Sequence, residues 1–167
     1  MSDELSELSL KPAVRKKLKN KKLLLEQLRA GKTGQQILEL SDATMEKLYK
    51  AAYQLNEHKR YSDAAQAFFF LITLNPQQLS YWLSLGIALQ MSGEYEAAID
   101  AYEIAAIYQL ESPIPYFYMA KCLFAIHERS SALEAFNLAI EYADSNVEHA
   151  ELKRQAIMAR DILLRNG

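Results

Sequence analysis

A period of 34 residues is the feature of this sequence that most constrains its fold. Three consecutive blocks share it: residues 45–78, 79–112 and 113–146. The spacing inside each block fits two short antiparallel helices. A period of this length indicates a stacked helical array, in which each unit buries its apolar face against the next one. The sequence therefore predicts an all-α protein.

Matching positions of the three blocks carry either small or large side chains. Small residues at positions 8 and 20 let the two helices of a block approach closely, and large residues at positions 4, 11 and 24 fill the space beside them. The small residues are Ala52, Gly86, Ala120, Ala64, Ala98 and Ala132, and the large ones are Leu48, Trp82, Tyr116, Leu55, Leu89, Leu123, Phe68, Tyr102 and Phe136. This pattern resembles the tetratricopeptide repeat.

Helices are also predicted on both sides of the repeats. Residues 1–32 form a basic arm with nine Lys or Arg against four Asp or Glu, whereas the predicted repeat domain, residues 33–167, has a net charge of −7. Within the arm, Pro12 to Ala30 reads as one helix, because Pro is tolerated in a first turn and Gly31 suits a helix exit. Residues 147–167 predict one long helix with a charged outer face, which would cap the stack.

The arm helix carries an apolar stripe on a basic background. Its members are Val14, Leu18, Leu25 and Leu28. Such a stripe needs a partner: it packs on the repeat domain, binds a second copy of the chain, or becomes ordered on assembly. A basic arm on an acidic body also suggests nucleic-acid binding as a function, but residues 11–22 hold no aromatic side chains for base stacking. We therefore expect no nucleic-acid partner.

Composition predicts a soluble cytoplasmic protein. Half of the residues are hydrophobic and 24% are charged, which is typical of folded soluble domains. No apolar run approaches the roughly 18 residues needed to cross a bilayer, and the first residues are acidic where a secretory signal needs basic ones. Cys122 has no second cysteine to pair with, which favours a reducing compartment. We expect no direct membrane insertion.

Two short segments resemble a phosphate-binding loop and a zinc-protease motif, but each lacks a residue that its motif requires. Gly31-Lys32-Thr33 would need a Gly at position 26 to cradle phosphate, and Glu stands there. His127-Glu128 opens like a zinc-protease motif, but Ser131 occupies the place of the second His. We therefore expect no enzymatic activity, no metal and no cofactor, and we look for function on the surface of the repeats.

A second stripe on the first helix of each repeat predicts a concave groove. Positions 2, 5, 9 and 12 share one helix face, and first helices line the concave side of such a stack. The stripe consists of Glu46, Tyr49, Tyr53, Asn56, Ser80, Leu83, Ile87, Gln90, Ile114, Phe117, Lys121 and Phe124. Seven of these twelve are aliphatic or aromatic, which is unusual for a surface facing solvent.

Two explanations of this apolar stripe remain open. The N-terminal helices, the C-terminal cap or a second subunit cover it, or it forms a groove for an extended apolar peptide. In the second case Tyr49 and Tyr53 supply broad apolar walls, and their hydroxyl groups bond the peptide backbone.

Short sequence segments within the repeats resemble the corresponding segments of one particular family. Thr44-Met45-Glu46-Lys47-Leu48-Tyr49, followed by Tyr61-Ser62-Asp63-Ala64, is similar to the first repeat of the class II chaperones of bacterial type III secretion. Ser112-Pro113 and Ala120-Lys121-Cys122-Leu123 are similar to the third repeat of that family. The resemblance covers residues 33–146.

This resemblance implies a cytoplasmic chaperone that binds hydrophobic translocator or effector proteins and keeps them competent for export. An extended client segment would lie in the concave groove. The residues implied or predicted to contact it are Tyr49, Tyr53, Asn56, Tyr61, Leu83, Ile87, Gln90, Tyr102, Phe117 and Lys121. The resemblance also implies a homodimer formed through the N-terminal helices. A general repeat scaffold within a larger assembly is the alternative function.

Overall fold

A computed structural model describes residues 10–166, which form ten α-helices and no strand. The first nine residues of the predicted arm, and Gly167 of the predicted cap, lie outside this part. The arm holds α1 (Pro12–Leu18) and α2 (Lys21–Arg29), and the short α3 (Gly34–Ile37) follows. The repeats are α4 (Asp42–Glu57) with α5 (Tyr61–Leu74), α6 (Leu79–Met91) with α7 (Tyr95–Tyr108), and α8 (Pro113–Ala125) with α9 (Arg129–Ala143). A 3₁₀ turn (Val147–His149) leads into α10 (Ala150–Arg165). The all-α prediction with three helix pairs is confirmed.

The repeats stack in chain order. Each of the second helices α5 and α7 packs between the first helix of its own repeat and the first helix of the next. First helices also contact one another, α4 with α6 and α6 with α8. Because the first helices meet in this way, they lie on the inside of the curve and form the concave face. The helix α10 packs on α9 and α8 and closes the stack.

The small and large positions read from the sequence form the core. Ala64, Ala98, Ala120 and Ala132 are completely buried. Phe68 and Tyr102 are also completely buried. Small residues therefore stand where helices touch, and an aromatic ring from each second helix fills the space that they leave.

The arm is two helices, whereas the sequence predicted one from Pro12 to Ala30. The break lies at Asn20, whose side-chain Oδ1 accepts a hydrogen bond from the backbone N–H of Leu23 at 3.2 Å. An Asn at this position stabilises a new helix start, so α1 ends at Leu18 and α2 begins at Lys21. The predicted exit at Gly31 is confirmed by its positive φ of 79°.

The C-terminal cap also departs from the prediction of one helix with a charged outer face. Asn146 caps the 3₁₀ turn that precedes α10. The outer surface of α10 exposes Met158 and Ile162 beside its charged residues. Arg129 of α9 donates hydrogen bonds to the backbone carbonyls of Leu163 and Asn166. It thereby satisfies carbonyls that the end of a helix leaves without partners, and it ties the cap to the third repeat.

The first helix of every repeat is followed by a residue with positive φ. These residues are Lys59 (φ 60°), Gly93 (φ 82°) and His127 (φ 66°), all at position 15 of their blocks. The left-handed conformation is strained for residues with a Cβ and unstrained for Gly. Repeats one and three therefore carry strain at a point where repeat two does not.

Substitutions Lys59→Gly and His127→Gly are each expected to raise the free energy of unfolding by about 0.5–1 kcal/mol, because relief of strain outweighs the added flexibility of the unfolded chain. Urea denaturation followed by circular dichroism measures the change. Gly93→Ala is the reciprocal control and should lower stability. A loss of stability in both glycine variants would contradict this account of the helix ends.

Candidate functional site

Tyr49 is the centre of an aromatic cluster that joins the first two repeats. Its ring stacks on Tyr81 with centroids 5.6 Å apart and lies 5.8 Å from the ring of Phe68. Its hydroxyl lies 3.1 Å from Ser84 Oγ on α6. The sequence predicted that this hydroxyl bonds a peptide, and in the structure it already forms one hydrogen bond, to Ser84. Tyr49 therefore contributes an apolar ring edge to the groove and a hydrogen bond to the stack.

Tyr53 lies one turn further along α4 and is the open member of this cluster. Its ring centroid is 6.5 Å from that of Tyr49, and 48% of the residue is exposed. It therefore presents a large open ring on the first helix of the repeat, and its contact with a client remains a prediction.

In the second repeat, the apolar stripe is shared between the groove and the core. Leu83 and Ile87 are partly buried and pack against a cluster that includes Tyr102, Met119 and Cys122. Contacts between repeats thus account for part of the apolar character that the sequence left unexplained. The remaining exposed edges of these side chains line the middle of the groove.

Tyr102 was predicted to contact a client, and the structure instead places it in the core. Its side chain is completely buried, and its ring stacks on Tyr118 with centroids 5.8 Å apart. Its hydroxyl donates a hydrogen bond to Gln90 Oε1 at 2.8 Å. Burial, and to a smaller extent the neighbouring Cys122 and Tyr118, raise the pKa of Tyr102 far above its usual value. The hydroxyl therefore stays protonated at neutral pH, and Gln90 is the groove residue that it reaches.

The third repeat divides its stripe in the same way. Phe117, a predicted contact, is buried and packs against Phe136 with centroids 6.2 Å apart. Lys121 is exposed, and its Nζ lies 5.5 Å from the centroid of Phe117 and 5.7 Å from that of Tyr118. This geometry is a cation–π contact. Phe124, one turn further on, is 55% exposed and ends the groove with a second open aromatic ring.

The two remaining predicted contacts lie near the open end of the first repeat. Asn56 is partly buried, and its Oδ1 is enclosed without a hydrogen-bond partner among residues 10–166. Tyr61 is partly exposed at the start of α5, outside the stripe of the first helices.

Ser84 and Tyr118 belong to the site although the sequence did not single them out. Both occupy position 6 of their blocks, and each contacts the preceding repeat, Ser84 through Tyr49 and Tyr118 through Tyr102. Their shared position was a signal in the sequence. Its meaning depends on the stacking of repeats, because Ser84 and Tyr118 each contact a residue of the repeat before their own.

Of the predicted arm residues, Val14 is completely buried within the chain and cannot face a second subunit. Leu18, Leu25 and Leu28 are exposed. The apolar stripe of the arm therefore begins at Leu18.

Other chemistry in the described region is sparse. Among residues 10–166, the His, Cys, Asp and Glu side chains form no group of three or more that could hold a metal ion. Burial raises the pKa of the Cys122 thiol to about 11, so this thiol stays protonated at neutral pH. No helix in the same region is both long enough and apolar enough to span a bilayer.

Three helix pairs and a concave face lined by aromatic side chains define a tetratricopeptide-repeat protein, a class that binds its partners on the concave surface. The family model for the tetratricopeptide repeat matches residues 45–77 and 79–111. Low calcium response locus protein H of Yersinia pestis is 32% identical over 125 residues, which are 75% of this chain and 74% of that protein.

Two solved structures are similar over about three quarters of the chain. The type III secretion translocator chaperone SycD of Yersinia enterocolitica superposes with a TM-score of 0.74 at 28% identity, covering 78% of this chain and 97% of that one. PcrH in complex with the chaperone-binding region of PopD superposes with a TM-score of 0.74 at 26% identity, covering 76% of this chain and 96% of that one. The chain belongs to the class II, tetratricopeptide-repeat translocator chaperones of type III secretion.

At Gly86 the two helices of the second repeat approach too closely for a side chain, and this predicts the direction in which a substitution changes stability. A Cβ added there would lie 2.4 Å from the ring of Tyr102. In an exposed helix, Gly→Ala stabilises by about 1 kcal/mol. Gly86→Ala should instead lower the free energy of unfolding by about 1–3 kcal/mol, because the buried ring has to move. Urea denaturation measures it, and a stabilised variant would contradict the packing described.

Proposed function

We propose that this protein is a cytoplasmic chaperone that holds an extended segment of a hydrophobic translocator in its concave groove and keeps that translocator competent for export. The observation that carries the proposal is the pair of open aromatic rings, Tyr53 and Phe124, at the two ends of a half-buried apolar stripe. The proposed activity is binding without a catalytic step.

Solved structures of related proteins support this function over that of a general scaffold. SycD, 28% identical to this chain, has been solved in complex with a peptide of the translocator YopD. PcrH has been solved with the chaperone-binding regions of PopD and of PopB, at 26% and 28% identity to this chain. By the same mode, the client of this chain would be a translocator of its own secretion system.

The groove fits such a client in its chemistry. A translocator that inserts into membranes carries apolar segments that aggregate in water unless they are covered. Tyr53, Leu83, Ile87 and Phe124 offer apolar surface to alternate side chains of an extended segment, and Lys121 adds one positive charge beside them. A large apolar contact with few polar groups is typical of sites that bind apolar peptides.

The test uses fluorescently labelled peptides that tile the translocators encoded in the same secretion gene cluster, with binding followed by fluorescence anisotropy. Tyr53→Ala and Phe124→Ala are each expected to weaken binding of the selected peptide by about 2 kcal/mol, since truncation of a buried aromatic anchor costs about that much. Absence of binding by any peptide to the unmodified protein would contradict the proposed function.

Phe69→Ala is the matched control for these two variants. Phe69 is 58% exposed, but it lies on α5, a second helix that stands away from the concave face. Its truncation removes a comparable exposed ring and should leave the affinity unchanged. If all three variants bind alike, the client does not occupy the groove.

We further propose that the protein forms a homodimer through the arm. Leu18, Leu25 and Leu28 leave an apolar stripe exposed on α1 and α2, and a second copy of the same stripe would cover it. SycD has been solved in a form described as an alternative dimer, which supports a dimer in this family without fixing its interface here.

The double substitution Leu25→Lys with Leu28→Lys is expected to shift the protein to a monomer, because it places charged groups in an apolar interface. Sedimentation velocity measures the change. Glu26→Lys is the control: it lies on the same helix and raises the positive charge by the same two units, and it should leave the dimer intact. A double variant that remains dimeric would exclude this stripe as the interface.

A further inference from the structure

The hydroxyl of Tyr102 is a buried polar group with one specific hydrogen-bond partner. The ring enters from α7 and passes over Gly86, where no Cβ could be accommodated. On its other side it stacks on Tyr118 of α8. The ring therefore fills the space between α6 and α8, and its position is fixed by packing on both sides.

The hydroxyl of this fixed ring reaches one acceptor. It donates to Gln90 Oε1 at 2.8 Å, and residues 10–166 supply no other hydrogen-bond partner for it. A buried hydroxyl without an acceptor is costly, so the ring and the carboxamide are held together. The bond also fixes the orientation of the amide, because it places the oxygen of Gln90 towards the core.

The amide nitrogen of Gln90 is consequently left facing away from Tyr102. No hydrogen bond within residues 10–166 uses its Nε2, and this atom is not among the enclosed polar atoms that lack partners. It therefore keeps some surface that is accessible to solvent. Gln90 shares a helix face with Leu83 and Ile87, so its Nε2 is a donor at the edge of the apolar middle of the groove.

The equivalent positions of the other repeats lack this arrangement. Position 12 is Asn56 in the first repeat and Phe124 in the third. The Oδ1 of Asn56 is enclosed without a partner, and Phe124 has no polar group. Within the described region, Gln90 is thus the one residue of this row whose amide is held by a second side chain.

An extended client brings backbone carbonyls into the groove, and each needs a donor when water is excluded. We propose that Tyr102 is a positioning residue, which holds the carboxamide of Gln90 so that its Nε2 donates a hydrogen bond to a backbone carbonyl of the client over the second repeat. The inference rests on the proposed function. The proposed hydrogen bond from Gln90 contacts the backbone of the client and not its side chains. It would fix the register of the client segment in the groove.

Three substitutions distinguish the role of Gln90, the proposed donor, from that of Tyr102, which holds it in position. Gln90→Glu keeps an acceptor for Tyr102 and removes the Nε2 donor, so affinity should fall about tenfold while the urea midpoint stays unchanged. Gln90→Met removes both, so affinity and stability should both fall. Tyr102→Phe keeps the ring and frees the amide, and a weakening of about threefold to tenfold is expected.

The coupling between the two residues is the decisive measurement, because a purely structural role would not produce it. In the Gln90→Met background, Tyr102→Phe should cause no further loss of affinity for the labelled translocator peptide. Tyr108→Phe is the matched control, since Tyr108 is exposed on the same helix as Tyr102, its hydroxyl forms no hydrogen bond within residues 10–166, and its loss should leave affinity unchanged. Equal affinity of Gln90→Glu and the unmodified protein would overturn the inference, as would additive losses in the double variant.

A measurement on the unmodified protein covers the case in which a variant fails to fold. The side-chain amide signal of Gln90 in a ¹⁵N-labelled sample should shift when the peptide is added, and its disappearance in Gln90→Glu assigns it. Peptide binding without a shift of this signal would overturn the inference and leave the proposed function standing. Failure of every peptide to bind would instead remove the proposed function.

Discussion

The close approach of helices at small residues is the constraint on which the rest of this structure depends. In the second repeat it is tightest, because the ring of Tyr102 lies against Gly86 at a distance that leaves no room for a methyl group. The same ring packs against Tyr118, Met119 and Cys122 on the next first helix. It therefore sets the spacing between α6 and α8, and that spacing determines the width of the concave face between them.

A consequence is that the groove and the core are built from the same side chains. Leu83 and Ile87 pack between repeats and also present an edge to the concave side. Tyr49 joins two repeats through Ser84 and Tyr81 while the adjacent Tyr53 remains open. An extended client would cover the exposed edges of these half-buried side chains. The side chains themselves are already held in place by contacts between repeats. Such preorganisation lowers the ordering cost of binding.

The arm differs from the repeats in its charge and in how much of its apolar surface is buried. It is strongly basic, and the ion pair between Lys17 and Glu39, at 3.9 Å, is a partly exposed contact that adds little stability. Val14 is buried within the chain, whereas Leu25 and Leu28 remain exposed. One apolar residue of the arm is thus buried within a single copy, and the others are exposed. The repeats, in contrast, bury all of their matched small residues and the aromatic rings Phe68, Tyr102 and Phe136.

The sequence by itself determined the fold, because a 34-residue period with Ala or Gly at two fixed positions is compatible with stacked helix pairs and with little else. It also located the groove, since helical geometry alone places positions 5, 9 and 12 on one face. It could not separate the residues that face the groove from those that support it. Tyr102 and Phe117 lie in the core while Tyr53 and Phe124 are open, and this depends on how far adjacent repeats overlap. The bonds from Tyr49 to Ser84 and from Tyr102 to Gln90 were decided only by tertiary structure, because each requires the packed position of a second helix.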